Sequence, residues 1–313
     1  MPDIVVMFFL LGLVAGLVRS DLSVPKAAYD LLSLLLMLTI GLKGGFALHG
    51  QLRLSLIPEL LGIAVIGALT PLLLMPLLRR LVRLSLADSA SLAAHYGSVS
   101  AGTFAVALAY SQTHLLTVGP EVTLYLVMLE LPAIIMALLL YRRAQPAKQG
   151  TMAGLWHEAL TNRGVILLVG GVLIGFMYGP DQGANVTGLL TGAFQVVLAL
   201  FLLDMGLTAA TTLRPFPRAQ WRVLVFALVA PPVLAIAGLL MGVWLALPLG
   251  SVVILASMTA SASYIAAPAA IRNAIPEANI GLAMLAALGL TFPLNVMLGI
   301  PLYHQMAIAL QSL

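Results

Sequence analysis

Two stretches of the chain read as copies of each other, and each interrupts an otherwise hydrophobic helix. Ile40-Gly41-Leu42 recurs as Met205-Gly206-Leu207, a shift of 165 residues. At the same shift of 165, Ser98 in SVSAGT (98–103) recurs as Ser263 in SASYIAAP (261–268). Glu130-Leu131-Pro132 meets Thr291-Phe292-Pro293 at a shift of 161. The chain therefore divides into a first repeat, 1–141, a linker, 142–162, and a second repeat, 163–313. Paired interruptions at matching places in two halves point to the binding site of a membrane transporter.

The surroundings of these interruptions place the chain in lipid. Hydrophobic residues make up 61% of it and charged residues 8%. A soluble domain carries about 25% charged residues, so this chain cannot cover a soluble surface. The absence of cysteine excludes disulfides and thiolate metal sites. The net charge of +4 does not point to nucleic acid, because the basic residues fall between spans. The apolar segment from Ile4 to Val18 lacks a basic start and a small-residue cleavage site, so it reads as a span and not a signal peptide.

A spanning helix needs about 20 apolar residues. That length gives ten spans: 4–19, 29–49, 54–78, 88–113, 118–141, 163–179, 187–212, 220–246, 248–273 and 278–308. The expected fold is an all-α integral membrane protein. Five spans per half is an odd number, so the halves enter the membrane from opposite sides as a 5+5 inverted repeat. Spans four and nine are the broken helices, expected to cross. Of the 15 Lys and Arg residues, all but Arg53 and Lys43 lie in odd-numbered connections. The positive-inside rule then places those connections, and the 142–162 linker, in the cytoplasm. Both termini are expected outside, in the periplasm, with the chain in a bacterial inner membrane. Trp156 in the linker is expected at the lipid interface.

Within span four, Gly97-Ser98-Val99-Ser100-Ala101-Gly102-Thr103 weakens the helix. In span nine, Pro268 favours the first turn of a new half-helix. Half-helices starting near Gly102–Thr103 and Ala267–Pro268 would aim free N–H groups at the protein centre and hold a small anion. Ser98, Ser100, Thr103, Ser261 and Ser263 would add hydroxyls, and the preceding half-helices would offer carbonyls to a cation. Small and hydroxyl residues also let membrane helices pack closely. A single such stretch reads as packing; two in register read as a site.

Charge inside a membrane is costly, so Lys43, Glu130 and Asp204 are functional candidates. Lys43 is expected to pair with Asp204 or to neutralise Glu130; the bland reading is a buried ion pair or a snorkelling lysine. His95 borders the first break and reads as a helix contact. His114 is a weaker candidate, and His49, His157 and His304 are expected at the interface.

At these residues the chain resembles the sodium-dependent bicarbonate permeases of cyanobacterial type. The resemblance covers nearly the whole chain. It is carried by IGLKGGFAL (40–48), YGSVSAGTFAVAL (96–108), LELPAIIMAL (129–138), MGLTAA (205–210) and ASASYIAAPAAIRNAIPEAN (260–279). The resemblance implies a core domain moving against a gate domain, a homotrimer in the lipid bilayer, and no cofactor beyond a coupling sodium ion. It implies bicarbonate held by Ser100, Gly102, Thr103, Ser261, Ser263 and the backbone near Ala267, with sodium near Ser98, Ser263 and Glu130. A PII-like regulatory protein on the cytoplasmic face would be a partner by the same resemblance. The family pattern has an acidic residue where this chain has Tyr264, and a hydroxyl plus glycine where it has Ala266-Ala267. Those changes remove oxygen ligands for sodium. A fixed ammonium at Lys43 is one replacement, with Glu130 or Asp204 making transport proton-linked.

Other readings stay open. A proton- or sodium-coupled antiporter, or an organic-anion symporter of similar broken-helix type, fits the same ionisable residues. A membrane receptor that has lost transport fits the altered second break. An intramembrane enzyme does not: His157-Glu158 is not followed by a second histidine at metal spacing, and the serines near position 98 have no clear catalytic partner.

Overall fold

The computed structural model describes residues 4–51, 53, 54, 56–145, 161, 163–213 and 220–312. Most of the linker, with Lys148, Trp156, His157 and Glu158, lies outside the described residues, as do Arg214 and Arg218. Among the described residues there are helices and no strand. Eight helical stretches are long and apolar enough to cross a membrane, and two shorter apolar helices, Ile4–Leu17 and Leu249–Thr259, accompany them.

In the first half, α1 (Ile4–Leu17), α2 (Lys26–Leu48) and α3 (Leu56–Leu77) precede α4 (Leu86–Gly97) and α5 (Ala101–Thr113), followed by α6 (Val122–Ala144). In the second, α7 (Arg163–Gly192), α8 (Phe194–Thr212) and α9 (Trp221–Trp244) precede α10 (Leu249–Thr259) and α11 (Ala266–Ala274). The last stretch, α12 (Ile280–Gln311), widens into π turns on either side of Pro293. Such widening re-satisfies backbone groups that a proline frees. Spans four and nine thus each appear as two half-helices. The sixth span breaks where expected: at Gly179 (φ 67, ψ 176) the backbone leaves helical geometry, and a second helical piece runs from Pro180 to Gly192.

Outward faces are apolar at helical spacing. Met7, Leu11 and Val14 on α1, and Leu61, Val65, Leu69 and Leu73 on α3, are exposed. An all-round apolar helix of this kind faces lipid on one side and its neighbours on the other. The α4–α5 stretch has no such face, since it is surrounded by protein.

Two close helix crossings form one part of the molecule. Helix α2 lies along α7, and α1 lies along α8. Glycine makes both crossings possible. A Cβ on Gly171 would stand 2.9 Å from the Leu38 carbonyl oxygen and 3.0 Å from Gly41 Cα. A Cβ on Gly175 would stand 3.0 Å from Gly45 Cα. At the other crossing, a Cβ on Gly206 would meet the Leu13 nitrogen at 2.6 Å, and one on Gly16 would meet Ala210 Cβ at 2.5 Å. Small residues four apart let backbones touch, which substitutes for a hydrophobic driving force that lipid does not provide. Asp30 adds a tie at the membrane edge, accepting from Lys26 at 3.1 Å and from Arg163 at 3.3 Å.

The remaining helices form a second bundle, in which α3, α4 and α6 pack together and α9, α10 and α12 pack together. Helices α5 and α10 join the two groups. Ser85 caps α4 by accepting from the Asp88 N–H at 3.0 Å, and Asn279 caps α12 by accepting from Leu282 N–H at 3.0 Å. Asp88 also accepts from the Asn279 N–H at 2.8 Å, which pins the starts of α4 and α12 together.

Candidate functional site

The two breaks meet at the centre of the second bundle, stitched by reciprocal hydrogen bonds. The Ser100 N–H donates to Ser261 Oγ at 2.8 Å, and the Ser263 N–H donates to the His95 carbonyl at 2.7 Å. A broken helix leaves N–H and C=O groups without intrahelical partners, and here each break supplies some of the partners of the other.

Serine chemistry shapes both new helix starts. Ser100 is the N-cap of α5, its Oγ accepting from the Thr103 N–H at 3.0 Å. Ser263 Oγ accepts from the Ala267 N–H at 3.2 Å in the first turn of α11. Serine caps a helix because its short side chain returns to the backbone without strain. The hydroxyls of Ser98 and Thr103 are buried and have no hydrogen-bond partner. Of the hydroxyls expected at the site, then, Ser100, Ser261 and Ser263 serve the backbone, while Ser98 and Thr103 are unengaged.

A small cavity opens beside the crossing. Its lining includes Val99, Ser100, Glu130, Ser263, Tyr264 and Ala266, with Met37 and Leu168 closing it from α2 and α7. Space for the centre of a water-sized sphere amounts to about 10 Å³. The cavity therefore lies where the two bundles face each other. Glu130 is 5% exposed and, among the described residues, has no ion-pair partner. A carboxylate so placed is expensive to keep charged unless a cation joins it.

The other two ionisable candidates lie elsewhere. Lys43 pairs with neither Asp204 nor Glu130; its ammonium sits over the Phe194 ring, 4.5 Å from the centroid. An aromatic face attracts a cation through its quadrupole, a partner that charge pairing in the sequence does not suggest. Asp204 lines a separate open pocket with Arg19, Thr208 and Thr211. The structure thus brings Glu130 to the breaks and leaves Lys43 and Asp204 apart from it.

His95 is a helix contact, as expected: its Nδ1 meets the Ser91 carbonyl at 2.7 Å. His304 packs inside the protein. It is 9% exposed and bonded through Nδ1 to the Tyr110 hydroxyl at 3.0 Å. His114 stacks on that same Tyr110, with ring centroids 3.9 Å apart.

Asn295, a residue not singled out in the sequence, supports the second break. Asn295 donates through Nδ2 to the Ala260 carbonyl at 2.8 Å, at the C-terminal end of α10, and accepts from the Tyr303 hydroxyl at 2.8 Å. Thr291 donates to the Ala227 carbonyl at 2.8 Å and meets the Tyr96 hydroxyl at 2.7 Å, linking α12 to α9 and α4. A lone amide inside an apolar span was the available signal for Asn295, since polar groups in lipid need a partner.

A family model described as the Na+-dependent bicarbonate transporter superfamily matches residues 4–308, nearly the whole chain. No curated protein matches it.

Proposed function

The chain belongs to the Na+-dependent bicarbonate transporter superfamily, a multi-pass membrane family, and from that premise we propose that it is a secondary active transporter of bicarbonate with sodium as the coupling ion. The observation that carries this reading is Glu130. It is a buried carboxylate facing the cavity at the crossing of two helix breaks, without a fixed positive partner among the described residues. A mobile cation satisfies such a group; Ser263 lines the same cavity, and Ser98, in the first break, is the other hydroxyl assigned to the oxygen set. The anion binds where the first turns of α5 and α11 present N–H groups, near Ser100, Gly102, Thr103, Ser261 and Ala267. Binding the two ions together neutralises charge that neither would carry into the membrane alone. Lys43 stacks on Phe194 and does not pair with Glu130, which favours sodium over a fixed ammonium as the charge at Glu130.

The two-part construction supports alternating access as the mechanism. The glycine-crossed helices α1, α2, α7 and α8 form the scaffold, and the bundle carrying the breaks moves against it. The glycine pattern also favours an inverted repeat. Gly12 and Gly16 of α1 recur as Gly171 and Gly175 of α7 at a shift of 159, and Gly41 and Gly45 of α2 recur as Gly206 and Ala210 of α8 at a shift of 165. Each member packs on the repeat partner of the other, as a two-fold axis in the membrane plane requires.

The test is uptake of radiolabelled bicarbonate into proteoliposomes, with and without an inward sodium gradient. Uptake is expected to require sodium and to be lost in Gly102→Leu, whose side chain would fill the start of α5. Sodium-independent uptake would overturn the coupling, and uptake of other anions but not bicarbonate would overturn the substrate.

A further inference from the structure

The hydroxyl of Tyr264 is buried and makes no well-aligned hydrogen bond. It belongs to the loop between α10 and α11, yet it points into the other break, at the start of α5. A Cβ placed on Gly102 would collide with the Tyr264 hydroxyl, so the phenol occupies the room that the missing side chain leaves. The Ser100 side chain and the Gly102 backbone are the hydrogen-bonding groups that act on it. Phe292 meets the Tyr264 ring edge-on, with centroids 5.5 Å apart, and Phe201 and Phe292 both crowd Gly102.

Helix α5 is 13 residues long, and its Thr103 N–H is already capped by Ser100. The uncapped donors of its first turn are those beside Gly102. A phenol oxygen there is a neutral acceptor standing where a negative charge would be best stabilised. The adjoining cavity, which Tyr264 also lines, has about 10 Å³ for the centre of a water-sized sphere. That is room for one water at most, and bicarbonate is larger.

We propose that Tyr264 is a tethered stopper: its hydroxyl fills the anion position at the start of α5, and the transported anion binds only when the ring swings out. The proposal rests on the anion-transport reading and deepens it, making Tyr264 the residue that sets anion affinity and size. The ring is the movable part because the groups its hydroxyl reaches, the Ser100 side chain and the Gly102 backbone, are ones a bound anion satisfies in its place. The serines around it are held by the backbone.

The chain has no cysteine, so a single thiol reports on the site without background. Val99 lines the cavity and is 2% exposed. In Val99→Cys, labelling by a small anionic thiosulfonate is expected to be slow. In Val99→Cys with Tyr264→Ala it is expected to be at least about tenfold faster, the change that corresponds to about 1.4 kcal/mol. Equal rates overturn the stopper whatever bicarbonate does. Bicarbonate that slows labelling of the opened variant supports both readings. Slowing by nitrate but not by bicarbonate keeps the stopper and overturns the substrate. Should Tyr264→Ala fail to fold, Tyr264→Phe decides. It keeps the ring, removes the competing oxygen, and is expected to lower the protective anion concentration about 2–10-fold, the range of one net hydrogen bond. Unchanged or absent protection there overturns the proposal.

Discussion

Ser261→Ala tests whether the two breaks are held by one hydroxyl. Ser261 Oγ accepts from the Ser100 N–H at 2.8 Å and donates to the Met258 carbonyl at 2.7 Å. The Met258 carbonyl keeps a second donor, the Ser261 N–H at 2.9 Å, so it stays satisfied after the substitution. The Ser100 N–H does not, and Ser100 is only 2% exposed. One buried donor is left unpaired, which costs about 1–3 kcal/mol. Ser111→Ala is the control. Its hydroxyl is equally buried but has no hydrogen-bond partner, so removing it relieves a desolvated polar group. Thermal unfolding of the purified protein in detergent reads the difference. Ser261→Ala is expected to melt several degrees lower, at about 2–4 °C per kcal/mol for a large domain. Ser111→Ala is expected to match or exceed the parent. If the two variants melt together, the bond between the breaks does not stabilise the crossing.

Three further outcomes follow from the packing. Gly171→Ala is expected to destabilise, because its Cβ meets the α2 backbone, whereas Gly170→Ala has open space and gains helix propensity of up to about 1 kcal/mol; paired melting curves separate them. Gly102→Ala is expected to cost about 1–3 kcal/mol by overpacking in the parent and less in the Tyr264→Phe background, read as a double-mutant cycle of unfolding. Asn295→Leu is expected to orphan the Ala260 carbonyl and to strip the Tyr303 hydroxyl of its acceptor, at about 1–3 kcal/mol for each unpaired group. Lower stability together with lost uptake would mark Asn295 as the support of the second break, and unchanged uptake would refute that role.

The places where helices break were legible because glycine, serine and proline act locally. Ser100 caps the next turn whatever surrounds it, and Pro268 begins a helix for reasons internal to its own ring. Gly41 and Gly206 were legible as repeat partners, but which helix meets which is a long-range fact that no window of sequence contains. Lys43 shows the same limit. A lysine in an apolar span asks for a partner, and counting charges offered Asp204 and Glu130, while the fold offered the face of Phe194. The position of Tyr264 was the least legible feature. Its side chain leaves its own break to fill the other, and only the crossing of the two loops creates the slot beside Gly102.

The glycine crossings bear on how the molecule can move. Where Gly41 and Gly45 face Gly171 and Gly175, main chain rests on main chain with no side chains between to change rotamer. Such a joint has no slack: it cannot ratchet by a turn or shear by re-sorting side chains, as interdigitated helices do. Probes attached at the ends of α2 and α7 should therefore keep one fixed separation throughout a transport cycle. All changes of distance should fall between that frame and the bundle it carries.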